Sequence, residues 1–145
     1  MKVTVKVDGL TAIDAALDQF TPTKRRAIGR KALDNAGQIL ARSMRDKAPE
    51  GKGYLKESID VGGVLAPGPK SAHPKVAEQE RYVGPDSRPQ AVQQEFGNEN
   101  HPPQPFARPA WDETQKEVLD RIGDELWLGI ERAATAAARK AAKGK

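Results

Sequence analysis

A mixed class of helices and short strands is predicted for this 145-residue chain by three observations. Two long stretches repeat apolar residues at spacings of three and four. Short segments between them alternate apolar and polar residues or run apolar up to a turn, and prolines and glycines mark the boundaries.

In order, Val3, Val5 and Val7 alternate against Thr4 and Lys6, the period of a half-buried strand, which Asp8 and Gly9 close. A short helix from Thr11 to Phe20 follows, with Ile13, Ala16, Leu17 and Phe20 on one face. Thr21-Pro22 reads as an N-cap with proline at the first helical position, where a missing N–H costs nothing. A long helix then runs to about Ala48 on the stripe Ile28, Ala32, Ala36, Ile39, Leu40, Ser43 and Met44. At its start Lys24, Arg25, Arg26, Arg30 and Lys31 oppose the helix dipole, either as a solvated face or as a contact for an acidic neighbour. Pro49 and Gly51 to Gly53 stop it. Leu55, Ile59, Val61 and Val64 suggest a turn into a strand, "APGPKSAHPK" is a loop by composition, and "VAEQERYVGPD" is a second strand ending at Tyr82-Val83. From Pro109 the series Ala110, Thr114, Val118, Ile122, Leu126, Ile130 and Ala134 predicts a second long helix. Continued to Ala142, it would be about 51 Å long at 1.5 Å per residue and would outrun any core the chain can build. Its last part, "AATAAARKAAKGK", has no large apolar side chain and is expected to fray or project.

Composition narrows the class of function. Hydrophobic residues make up 37% and glycines number 13, a globular balance that allows one domain over residues 1–131 with a basic tail at 132–145. Cysteine is absent, which excludes disulfides, thiolate metal sites and a thiol nucleophile and fits a reducing place of synthesis. The first ten residues lack an apolar signal core and no run approaches 18 apolar residues, so a soluble chain without a membrane partner is expected. The net charge of +4 comes from the tail: Arg132, Arg139, Lys140, Lys143 and Lys145 meet no acid after residue 131, which leaves 19 basic against 20 acidic residues in the body. The body alone has no general polyanion-binding character.

Enzyme chemistry finds no constellation. Gly63 and Gly68 have the separation of a phosphate-binding loop, but Pro69 stands where the motif needs lysine. His73 and His101 lie 28 residues apart in proline-bearing loops without metal-ligand spacing, and no serine sits in a nucleophile-elbow sequence. Carboxylates such as Glu117 face basic partners, here Arg121, at i, i+4. No catalytic residue, metal, cofactor or small-molecule substrate is expected.

The most specific stretch is "EFGNENHPPQPFARPAWDE", residues 95 to 113. Gly97 can take positive φ and swing the backbone after a strand holding Phe96. Pro102, Pro103 and Pro105 bias an extended link. Phe106 is one of three phenylalanines, and its burial serves a core or an interface. Arg108 precedes Pro109, is expected outside the helical region, and can lay its guanidinium on a carboxylate such as Glu95. Two purposes fit: a rigid approach to the helix within its own subunit, or a pre-ordered patch of Glu95, Phe96, Gly97, Pro105, Phe106, Arg108 and Pro109 that docks on a neighbouring subunit.

Glu95-Phe96-Gly97 followed by Pro105-Phe106-Ala107-Arg108-Pro109-Ala110 resembles the tail-completion family of long-tailed bacteriophages, also described as head-tail joining, neck or minor tail protein Z-like. "VKVDGLTAIDAALDQF", "KALDNAGQILARSMRDKAP", "GYLKESI" and "RYVGP" are similar to further family elements in the family's order, so the resemblance spans about residues 3 to 131. Glu50-Gly51-Lys52-Gly53 departs from the usual turn, and the basic tail lies outside the pattern. The resemblance implies an α+β fold, two long helices packed on a small antiparallel sheet with a Pro-rich loop before the C-terminal helix. It also implies a non-enzymatic virion protein, made in the host bacterial cytoplasm and placed in the neck or tail. Its partners would be further copies of itself in a ring, six by analogy with tail symmetry, and neighbouring neck or tail proteins. Arg132, Arg139, Lys140, Lys143 and Lys145 would then meet DNA in the lumen, meet an acidic neighbouring ring, or serve solubility. Alternatives are a tail terminator or head-closure protein of the same neck and, from another class, a small basic DNA-binding regulatory protein.

Overall fold

A computed structural model of the chain describes residues 9–51, 53–63, 77–87 and 89–144. Helix α1 (Leu10–Leu17) leads to α2 (Pro22–Lys47), then the short α3 (Tyr54–Ser58), strands β1 (Asp60–Gly62) and β2 (Tyr82–Gly84), α4 (Pro89–Phe96) and the long α5 (Ala107–Lys143). Helix α2 begins as its sequence dictates. The Thr21 hydroxyl accepts from the Lys24 N–H at 3.3 Å, and Pro22 fills the first helical position. It ends where Ala48 turns extended before Pro49, the Ala48 N–H still donating to the Met44 carbonyl at 2.8 Å.

Helices α2 and α5 run antiparallel along their length. Ile28 faces Gly129, the Asn35 amide donates to Glu125 at 2.9 Å, and the Lys47 ammonium meets Glu113 at 2.5 Å, so rising numbers on one helix meet falling numbers on the other. Between them lies a core of Ala36, Leu40, Ala41, Met44, Phe106, Ala110 and Val118, closed by Ala48 and Ile59. The two strands pair antiparallel, with Val61 opposite Val83, and rest on α2 at Gly37. A Cβ added to Gly37 would stand 3.0 Å from both Val61 methyls, so glycine sets how closely sheet and helix approach. This is the α+β arrangement expected from the resemblance, with the helices dominant.

Several expectations change. The first strand, Val3 to Val7, and the loop at 66–75 with His73 lie outside the described residues. The second strand is only three residues long, and residues 77–79 ahead of it form bends. Phe96 ends a helix, α4, instead of a strand: Ala91 and Glu95, four apart, are buried, and a buried period made of an alanine and a glutamate gives no apolar stripe in the sequence. Arg108 lies inside α5, whose first turn tolerates Pro109 because no intrahelical acceptor needs its N–H. Arg121 pairs with Glu125 at 3.1 Å and not with Glu117.

The inward stripe of α5 ends at Ala133, which is buried, whereas Ala134 and all later described residues are exposed. The helix therefore projects about 15 Å beyond its last packed residue at 1.5 Å per residue. Truncation after Ala133 is expected to change unfolding by no more than about 0.5 kcal/mol. A thermal melt checks this, and a loss of several degrees would mean that the end packs on its own chain.

Candidate assembly surface

The proline-rich stretch is built around one carboxylate. Helix α4 ends by pointing Glu95 back at the start of α5, where it is 5% exposed. A helix start leaves four N–H groups without intrahelical partners, and Phe106, at the N-cap, has no side-chain acceptor for them. Glu95 supplies it from eleven residues upstream. Oε2 accepts from the N–H of Phe106 at 2.7 Å and of Ala107 at 2.9 Å, and Oε1 accepts from the N–H of Arg108 at 3.0 Å. The Arg108 guanidinium completes the clamp: Nε donates to Oε1 at 2.9 Å and Nη2 to the Glu95 carbonyl at 2.8 Å. Burial by itself raises the Glu95 carboxyl. The N–H groups of Ala107, Phe106 and Arg108 with the Arg108 side chain outweigh it and hold the carboxyl below its ordinary value. The positive end of the α5 dipole acts in the same direction.

Between the helices the chain turns tightly. Gly97 sits at φ 77°, as its place in the motif predicts, and its N–H donates to the Gln93 carbonyl at 2.7 Å. The Asn98 side chain accepts from the N–H groups of Asn100 and His101 at 2.9 and 2.8 Å, and the Gln104 N–H returns to the Gln94 carbonyl at 2.7 Å. A Cβ on Gly97 would lie 2.8 Å from the Pro103 nitrogen. Gly97→Ala is therefore expected to cost about 2 kcal/mol, from left-handed strain plus a backbone clash. Chemical denaturation checks this, and a neutral result would mean that the turn has another conformation open to it.

The patch expected from the sequence divides. Phe106, 1% exposed, lies in the core of its own chain, and Glu95 is buried with it, so neither side chain is available to a neighbour. Pro109 is half-buried, Gly97 is turned into its own loop, and Pro105 is exposed. Phe96, 62% exposed, carries the Arg108 guanidinium over its ring at 4.8 Å, and Val92, one turn earlier on α4, is equally exposed. An apolar pair topped by a cation is what remains on the surface.

The cations form a second feature. Arg132, Arg139, Lys140 and Lys143 are exposed along the last turns of α5, and Lys145 lies outside the described residues. Because α2 and α5 are antiparallel, the basic start of α2 lies beside Arg132, the first cation of the basic end of α5. Lys24, Lys31 and Arg132 line one groove floored by Ala27, Ile28 and Gly129. Its acid, Glu125, is already engaged by Asn35 and Arg121. Of the α2 cations, Arg25 pairs with Asp18 at 3.1 Å and Arg26 with Glu78 at 2.6 Å. The runs are about a hundred residues apart in sequence, and helical periodicity carries no information on which ends meet.

Among the described residues no group of three or more histidines and acids is arranged to hold a metal, and no helix is long and apolar enough to cross a membrane. No family model matches the chain, and no curated protein or solved structure is significantly similar to it.

Proposed function

We propose that this chain is a non-enzymatic structural protein of a tailed bacteriophage, acting in a ring at the head-tail junction to help join the tail to the DNA-filled capsid. The observation that carries the reading is a helix longer than its own domain can cover: α5 continues ten residues past Ala133 with every side chain exposed. A helix end without an apolar face gains little stability from its own chain and is suited to contacts with neighbours. The resemblance of the motifs between residues 3 and 131 to the tail-completion family supports this location. The rigid clamp at Glu95 supports the same reading, since a surface fixed before docking loses little entropy on docking.

Particles made without the protein test this directly. Filled heads and finished tails that fail to join are the expected result, whereas absent tails or empty heads would overturn the junction role. Phe96 sharpens the test. Because its ring is exposed, Phe96→Ala is expected to shift unfolding by about 1 kcal/mol or less, the scale of an exposed cation–π contact. Joined particles should fall markedly, and normal joining would remove the α4 face from the interface.

A further inference from the structure

Charge along α5 is divided by position. Glu113, Glu117, Asp120 and Asp124 follow one another at spacings of four, three and four, a single stripe on the helix. Arg132, Ala136, Arg139 and Lys143 follow at the same spacings on the projecting end. Within one chain most of these charges have no opposite partner. Glu113 is held by Lys47 at 2.5 Å, but Glu117, Asp120 and Asp124 are exposed and make no ion pair among the described residues, like Arg132, Arg139, Lys140 and Lys143. Lys116 and Arg121 flank the acidic stripe, and Arg121 is committed to Glu125. Like charges three and four residues apart on a helix disfavour it by a few tenths of a kcal/mol per pair, so each stripe is better satisfied by the opposite one. The end cannot fold back on its own acidic face, because both belong to one continuous helix from Ala107 to Lys143.

We propose that the projecting basic end of α5 docks on the acidic face of α5 in a second copy of this chain, head to tail. The contact is heterologous: each copy offers one end and one face, so repetition closes a ring or grows a filament. The alanines at 134, 136, 137, 138, 141 and 142 leave no bulk to hold the two helices apart. Trp127, 40% exposed and three residues beyond Asp124 in the same stripe, supplies an apolar anchor at its edge. Arg132, Arg139 and Lys143 carry cations at three of the four positions that match the acidic stripe in spacing, and duplex DNA, which the same cations would attract, is the competing occupant that the experiment tests.

The inference deepens the ring reading by naming its contact, and the two fail separately, since self-association is measured on the isolated protein and joining on particles. The experiment is sedimentation of the full chain over a concentration series at about 0.1 M and about 1 M NaCl, where the Debye length falls from about 10 Å to about 3 Å. Expected is an average mass that rises with concentration past twice the 15.7 kDa monomer at low salt and returns toward the monomer at high salt. Arg139→Glu/Lys143→Glu should abolish the rise, as should Asp120→Asn/Asp124→Asn. An equimolar mixture of the two variants should form a one-to-one pair that grows no further, because only one end and one face remain intact. Circular dichroism confirms that each variant is folded. Association that survives either double variant or stops at a dimer overturns the proposal. A wild-type chain that is monomeric at all concentrations, whether or not it binds duplex DNA through the same cations, does so as well.

Discussion

Glu95→Ala is expected to destabilise the isolated protein by about 3 kcal/mol, the scale for removing one partner of a buried charged cluster. Three N–H groups at the start of α5 lose their acceptor together, and the Arg108 guanidinium loses its ionic partner and keeps only the Glu95 backbone carbonyl to hold it over Phe96. For a chain of this length that corresponds to a fall of about 10 °C in the unfolding midpoint. Acid should reproduce the loss in the wild type. The Glu95 carboxyl is held below its unfolded value, so its contribution is complete above the unfolded pKa and disappears as pH falls through the folded one. Asp60 and Glu113 are lowered as well, Asp60 by the Val61 N–H and Gln38, Glu113 by Lys47, but at 72% and 61% side-chain exposure solvent screens them and their share is smaller. Glu95→Gln keeps the shape and loses the charge. Its stability should be lower at neutral pH and flatter through the acid range, as followed by denaturant titration at several pH values. An acid limb parallel to the wild type would assign the effect to other carboxylates.

Phe106→Ala is expected to cost about 3 to 5 kcal/mol, the range for truncating a fully buried phenylalanine. The ring sits in the cluster that joins α2, Ile59 and α5, so its loss leaves a cavity where the three meet. Phe106→Leu, which retains most of the volume, should cost about 1.5 kcal/mol or less. Thermal melts of both variants check the pair, and an alanine variant as stable as the leucine one would show that the site collapses around the gap. Under the proposed junction role, particle joining in Phe106→Ala should fail through loss of folded protein, which separates it from Phe96→Ala, where folded protein should remain. Arg108 stands between the two: its side chain is exposed but tied to Glu95, so its removal perturbs both fold and surface.

Local chemistry determined what local physics controls. Thr21-Pro22 started α2 and Ala48-Pro49 ended it, Gly97 turned with positive φ, and the three-and-four spacing named nine of the twelve buried residues of both long helices, missing Gly37, Ala41 and Ala133. Arg108 with Glu95 was legible too, since a guanidinium and a carboxylate flanking a rigid link have few other partners. Helix α4 was not legible. Its buried face consists of Ala91 and Glu95, too weak an apolar period to stand out, and Glu95 is held there by the N–H groups at the start of α5.

The sequence by itself thus determined where α2 begins and ends, most of the faces the two long helices bury and that the C-terminal helix would outrun the core, because caps and amphipathic stripes act within a few residues. Tertiary structure alone decided that Phe106 belongs to the core of its own chain, that Glu95 caps a helix eleven residues away, and that the basic start of α2 lies beside Arg132 of α5. Each of these depends on the direction in which distant segments pack. That direction is set by the summed burial of both helices, which no single stretch of the chain contains.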